Sequence, residues 1–393
     1  MTDSAYPDDA LGESARAGFQ LRYAREPQGV WSAPGRANLI GEHTDYNEGF
    51  VFPFAIDRRT VGALALRDDR IVRVSSSFAD EIVEIELAEI GPDTVTGWSA
   101  YPLGVAWALG RFGADLDAVP GFDLYLDSDV PVGAGLSSSA AIECAVAVAL
   151  NEVWQLGLDE KTLVQVGHVA ENDVVGAPTG ILDQSASLLG KADAAIFLDC
   201  RSQESEVIPL GLEQAGLEIL VIDTLVAHEH ATGEYAARRA SCEQGARVLG
   251  VSSLRDVSID DLPRARELLD DVTFRRVRHI VTENQRVLDT VRLLQEQGPT
   301  AIGDLLDASH RSMRDDFEIS VPELDLAVEI SQNYGALGAR MTGGGFGGSA
   351  IALVPAHLIS HVQVNVDGAF AEHGYTQPEM FVVHPADGAH RES

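Results

Sequence analysis

Apolar positions along the chain fall into two patterns. Short apolar or alternating runs at 51–56, 61–66, 71–74, 81–87 and 122–126 predict strands, and 194–198 and 217–222 add two more. Helical periodicity predicts helices over 11–25, 98–112, 139–156, 159–174 and 185–189. From residue 241 onward helices dominate: 241–249, 262–269, 273–297, one starting near Ile302, and 323–334. These later helices are charged and amphipathic, which predicts solvated faces covering a sheet. His310, Arg311 and Arg314 are accordingly expected at the surface. Trp31-Ser-Ala-Pro-Gly35 reads as a strand end and turn. The acidic stretch 201–216 is a candidate boundary, giving domains 1–205 and 206–393. Met1 to Asp9 reads as a polar leader, and the tail beyond His384 as frayed.

Three stretches do not fit a purely structural pattern. Pro131-Val-Gly-Ala-Gly-Leu-Ser-Ser-Ser-Ala140 runs straight into an apolar helix. A glycine-serine loop feeding a helix start is a candidate phosphate site, because the first amides lack partners and carry partial positive charge. A serine-capped helix without ligand is the plain alternative. Arg36-Ala-Asn-Leu-Ile-Gly-Glu-His-Thr-Asp-Tyr-Asn47 packs Arg36, Glu42, His43 and Asp45 between strand-like flanks, a donor and acceptor set suited to a polyol. A solvated loop, or a weak metal set with one histidine, competes with that. Gly338 to Val354 includes five glycines among residues 343–348. It contains G-x-G-x-x-G, but a strand-like run follows, so a glycine loop closing over something bulky replaces the dinucleotide reading. Asp183, beside the Gly176–Gly180 break, is either a helix cap or a positioned base. Trp98 or Tyr101 could stack on a base, with core packing as the commoner fate of an aromatic.

Charge narrows the function. The formal net charge of −33 excludes nucleic acid and anionic membranes as partners. With only Lys161 and Lys191 as lysines, any phosphate must be held by backbone amides, arginine and metal. The Walker pattern is absent. Three cysteines without paired spacing (Cys144, Cys200, Cys242) and no opening signal sequence predict a reduced, cytoplasmic protein.

Together the three stretches resemble the GHMP sugar and metabolite kinases, the group of galactokinase, homoserine, mevalonate and phosphomevalonate kinases. Gly35-Arg-Ala-Asn-Leu-Ile-Gly-Glu-His-Thr-Asp-Tyr46 is similar to the galactokinase signature at its defining positions, and the resemblance spans about Trp31 to Val354. It implies an α+β fold of two domains with the active site between them. The N-terminal mixed sheet would carry a left-handed βαβ crossover, and the C-terminal domain would be a ferredoxin-like sandwich. It also implies ATP-dependent phosphorylation of the C1 hydroxyl of α-D-galactose by a monomer using Mg2+. By position, Asp183 matches the base and Arg36 the residue facing it. Glu42, His43, Thr44, Asp45, Gly180 and Tyr235 match sugar binders. Gly133, Ala134, Gly135, Leu136, Ser137, Ser138, Ser139, Gly344 and Gly345 match the ATP loops, and Ser139 and Glu171 the Mg2+ ligands. Leu182, Thr179, Ser185 and Ser349 depart from the family pattern; Thr179 and Ser185 put sugar preference in question. Kinases of N-acetylgalactosamine or arabinose, and a non-catalytic galactose and ATP sensor, are the rival readings.

Overall fold

The computed structural model describes residues 10–226 and 231–392; the Met1–Asp9 leader lies outside them. The first half runs α1 (Ala10–Tyr23), β1 (Gly29–Asn38), β2 (Phe50–Val51), β3 (Pro53–Leu66), β4 (Ile71–Ser76), β5 (Val83–Glu86), α2 (Ala100–Leu109), β6 (Phe122–Ser128), α3 (Ser138–Val153), α4 (Glu160–Val169), α5 (Leu182–Leu189), β7 (Ala194–Asp199) and β8 (Glu204–Pro209). The second half runs α6 (Leu212–Ala215), β9 (Leu217–Asp223), α7 (Ala231–Leu249), α8 (Leu262–Leu268), α9 (Asp271–Gln297), α10 (Gly303–Ser312), α11 (Pro322–Asn333), β10 (Gly338–Met341), β11 (Ser349–Pro355), α12 (Ile359–His373), β12 (Glu379–Val383) and β13 (His390–Arg391). Among the described residues no helix is long and apolar enough to cross a membrane.

The first half is built on a sheet in the order β13-β1-β3-β6-β4-β5, with β4 and β6 parallel and joined through β5 and α2. β1 is covered on both faces and is buried at every position. Val61, Ala63 and Ala65 pack against α1, while Leu64 and Trp31 face the core around α2 and α3. That split follows the two-residue period of a strand. Small residues (Ala140, Ala141, Cys144, Ala145) bring α3 close to the sheet, and Cys144 is a core residue as expected.

The second half follows the order strand-helix-strand-strand-helix-strand, giving the antiparallel sheet β10-β11-β9-β12 of the ferredoxin-like pattern. Leu220, Ile222, Ala350 and Ala352 face the helices on one side. Ile219, Val221, Ile351 and Leu353 face the other way and share one core with Phe52, Phe54, Ile56 and Leu136 of the first half. The two halves are thus joined through apolar packing, and this fixes the loops at its margin.

Four expectations change. The strand expected to end near Pro34 runs on to Asn38 with a register shift between Pro34 and Arg36. Proline cannot donate to the ladder, so it sits at an irregularity, which redirects the following residue. A boundary at 205/206 would cut β8, which pairs with β7. The acidic stretch is the outward edge of that hairpin, exposed along nearly all of β8. The tail is not frayed. Ala386 N donates to Ala55 O, Gly388 N to Gly190 O and Ala389 N to Ser187 O, and β13 pairs with β1. Finally, His310 is buried, its Nε2 3.2 Å from Asp325, whereas Arg311 and Arg314 are exposed as expected.

Candidate active site

The two glycine-rich stretches meet backbone to backbone. A Cβ on Gly343 would lie 2.7 Å from Gly135 O, and one on Gly348 3.1 Å from Ala134 O. Ser349 Oγ donates to Ala134 O at 2.7 Å, which fastens the loops together. The glycines therefore answer to close approach of two chains, and Gly343 also needs its φ of +86°. Where the first loop enters α3, Ser137 occupies the N-cap position with φ +57° and gives no side-chain cap. The capped-helix alternative fails, and the first amides of α3 remain open.

The Ser137 hydroxyl is used elsewhere. It donates to Asp183 Oδ2 at 2.5 Å. Asp183 lies in the first turn of α5, where an acid suits the helix dipole. Its Oδ1 receives Arg36 Nε at 2.8 Å, and Arg36 Nη1 reaches back to Gly135 O at 2.5 Å. The strand irregularity that follows Pro34 is what aims Arg36 here. One guanidinium thus ties the acid at the start of α5 to the loop at the start of α3.

A cavity of about 250 Å³ opens beside this junction. Arg36, Asp183, Asp45, His43, Glu42, Gly180, Tyr235, Gly344 and Gly345, all singled out from sequence, line it. His43 Nε2 faces Gly344 O at 3.1 Å, so Nε2 carries the hydrogen and Nδ1 accepts from Tyr46 O–H at 2.7 Å. Burial pushes this ring down to about 3, so it stays neutral. Its face packs on Tyr235 and Phe317, with ring centroids 4.7 and 4.9 Å away. Burial, then the charge of Asp183, pushes the Asp45 carboxyl up to about 6. Three acidic residues, Glu42, Asp45 and Asp183, line the cavity, so its natural occupant is rich in hydroxyl donors.

Some expected residues serve the loop instead. Thr44 does not line the cavity; its hydroxyl faces the carbonyls of Gly41 and Phe50 at 2.8 and 2.6 Å. Glu42 reaches the cavity wall, but its carboxylate is engaged by Arg340, Asn38 Nδ2 at 2.9 Å and Gly343 N at 3.0 Å. Burial pushes its carboxyl above the ordinary range, against the pull of Arg340. Arg340 also faces Glu283 at 3.6 Å, and Glu283 Oε1 accepts from Gly41 N at 3.0 Å. Burial would raise Glu283, but Arg286 and Arg340 outweigh it and bring it down to about 2. Arg340, Glu283 and Asn38 were missed from sequence. A charged residue such as Arg340 inside an apolar strand run was the available signal, since such a group needs a buried partner.

Ser139 and Glu171 are adjacent as expected, with Ser139 Oγ 3.2 Å from Glu171 Oε1. Glu171 is buried in the π-helical turn Ala170–Val175 that ends α4. Burial, then Asp183, raises its carboxyl. Among the described residues no group of three or more His, Cys, Asp or Glu side chains could hold a metal. Trp98 and Tyr101 flank the start of α2, which packs on α3. Trp98 meets the Phe78 ring edge-on at 5.5 Å, and its indole N–H is buried without a partner.

The family model of the GHMP kinases N terminal domain matches residues 100–191, that of the GHMP kinases C terminal matches 290–370, and the galactokinase galactose-binding signature matches 17–66. A galactokinase of Streptomyces coelicolor is 50% identical over 386 residues, covering 98% of this chain and 99% of that protein. The chain belongs to the galactokinase family. A galactokinase of Mycobacterium tuberculosis is 45% identical over 91% of this chain and 98% of its own length. The crystal structure of Lactococcus lactis galactokinase complexed with galactose matches with a TM-score of 0.92 and 33% identity, covering 97% of this chain and 99% of that one. Methanococcus jannaschii mevalonate kinase, at 17% identity and a TM-score of 0.66 over 91% of this chain and 98% of its own, shares the fold. As a member of the galactokinase family the chain is an ATP-dependent sugar kinase.

The departures from the galactokinase pattern separate on this geometry. Ser185 is buried, with its hydroxyl on Ile181 O at 2.7 Å, and does not line the cavity. Thr179 does line it, but its hydroxyl donates to Glu171 Oε2 at 2.9 Å.

Proposed function

We propose that this chain transfers the γ-phosphoryl group of ATP to the C1 hydroxyl of α-D-galactose, with Asp183 and Arg36 at the point of transfer. The observation that carries it is the position of Asp183. It is bonded to Ser137 of the phosphate loop on one side and lines the polyol cavity on the other. Phosphoryl transfer depends on positioning and charge compensation more than on covalent help. Asp183 orients the sugar hydroxyl and accepts its proton; Arg36 holds Asp183 and faces the charge on the moving group. The open amides of α3 take phosphate oxygens. Ser139 and Glu171 fit a Mg2+ ion, which keeps few protein ligands and fills its remaining positions with phosphate oxygens and water. Bound there, Mg2+ supplies neutralisation of phosphate charge. A coupled ADP-release assay over galactose, N-acetylgalactosamine and arabinose tests the assignment. Turnover highest on galactose is expected, and none on any sugar would remove it.

Two further outcomes follow for the sugar side. A Cβ on Gly180 would sit 2.0 Å from Asp45 Oδ2. Gly180→Ala must therefore displace Asp45, and the galactose KM should rise about tenfold, the cost of one good charge-assisted hydrogen bond. An unchanged KM would show that Asp45 does not touch the sugar. The second concerns pH. A sugar hydroxyl donates best to ionised Asp45, whose carboxyl lies at about 6. Initial rates should therefore give a galactose KM that rises as pH falls from 7 to 5. A KM that stays flat over that range would argue against Asp45 as an acceptor. Without sugar the sign reverses for folding. A raised carboxyl contributes stability that is complete below its ordinary value of 3.8 and lost as pH rises through about 6.

A further inference from the structure

Next to Asp183, the fully buried Gln184 points away from the cavity into a pair of acids. Its Nε2 donates to Glu171 Oε2 at 2.8 Å and to Glu143 Oε2 at 2.9 Å. Thr179 Oγ1 donates to the same Glu171 oxygen at 2.9 Å. Glu171 is thereby divided: Oε2 is satisfied from behind by two donors, and Oε1 is left toward Ser139 at 3.2 Å. On the far side, Glu143 Oε1 and Gln184 Oε1 are both buried and both lack a partner. Each is an acceptor in the usual protonation state. One hydrogen on Glu143 would close a two-point acid–amide pair and satisfy both atoms. Glu143 is 0% exposed. Burial first, then the charge of Glu171, raises its carboxyl well above the ordinary range. Such a pair also fixes the amide. Turned over, Gln184 would set its oxygen against the Glu171 carboxylate and lose the hydrogen from Glu143.

We propose that Gln184 is a positioning residue of the phosphoryl-transfer site. Anchored on Glu143, it determines which Glu171 oxygen is presented at the start of α3. This rests on Ser139 and Glu171 holding the metal, and the experiment keeps the two apart. Mn2+ affinity in the presence of ADP is measured on folded protein by electron paramagnetic resonance, alongside kcat and the galactose KM. Gln184→Leu should weaken Mn2+ about tenfold or more, as loss of a residue that supports a metal ligand does, with the galactose KM within about twofold. Glu143→Leu should behave alike, whereas Glu143→Gln, whose amide N–H can replace the acid hydrogen, should restore most of the affinity. Parental Mn2+ affinity in Gln184→Leu would overturn the proposal, as would Glu143→Gln no better than Glu143→Leu. If Gln184→Leu does not fold, the Glu143 variants decide alone: Mn2+ weakened in Glu143→Leu and restored in Glu143→Gln supports the proposal, and parental affinity in Glu143→Leu overturns it. Parental Mn2+ affinity in Glu171→Ala would instead remove the metal reading itself.

Discussion

Asp183→Asn is expected to lower kcat by about 10²- to 10⁴-fold, the range a positioned acid–base group contributes. The substitution keeps the side chain's size and one acceptor oxygen. It removes the group proposed to take the sugar's proton and breaks the ion pair with Arg36, whose Nη2 lies 2.7 Å from Asp183 Oδ1. Galactose binding by calorimetry should change little, because Asp45, His43 and Tyr235 still line the cavity. A variant that kept most of its turnover would refute the assignment of Asp183 as base. Arg36→Ala belongs to the same unit, since Arg36 also holds Gly135 O. It should cost about 10²- to 10³-fold in kcat, as loss of an aimed donor does. If only the galactose KM rose, Arg36 would be a binding residue.

Arg340→Met is expected to destabilise the fold by about 3–5 kcal/mol, the cost of leaving buried charge without its partner. Arg340 is fully buried, and the Glu42 and Glu283 side chains are 3% and 0% exposed. Methionine fills similar space and leaves Glu42 facing an apolar side chain, whereas Glu283 keeps Arg286 at 2.7 Å. Urea unfolding followed by fluorescence reads the effect. Adding Glu42→Gln should recover part of the loss, because the acid left without a cation is then neutral. An Arg340→Met protein as stable as its parent would mean that the pair contributes no net stability. The consequence reaches the site, since Glu42 also holds Gly343 N at the base of the glycine loop.

What the chain discloses in one dimension is uneven. The glycine-serine loop at the start of α3 was legible as a loop because glycines and serines end abruptly in an apolar helix. The stretch 42–45 was legible as a polar cluster between strands, and its resemblance to the galactokinase signature sharpened this. The division of labour within it was not. Thr44, Glu42 and Asp45 all offer side-chain oxygens, and only tertiary packing turns the first to backbone and gives the second to Arg340. His310 and Glu283 read as solvated because their helices are charged overall. Each nevertheless lies on the inner face: His310 meets Asp325 of the next helix, and Glu283 meets Arg286 one turn on and Arg340 from a distant strand. The tail was misread for a related reason, since β13 is two residues long and its pairing is decided by β1.

That last pairing bears on how the protein is made. Before residues 390–391 dock, the sheet that carries Arg36 lacks its outermost member, and β1 presents an unpaired edge at Trp31 and Ser32. A bare edge can pair with a neighbouring chain. A chain whose β13 has not yet docked therefore carries an adhesive seam at Trp31 and Ser32, and docking of β13 covers it.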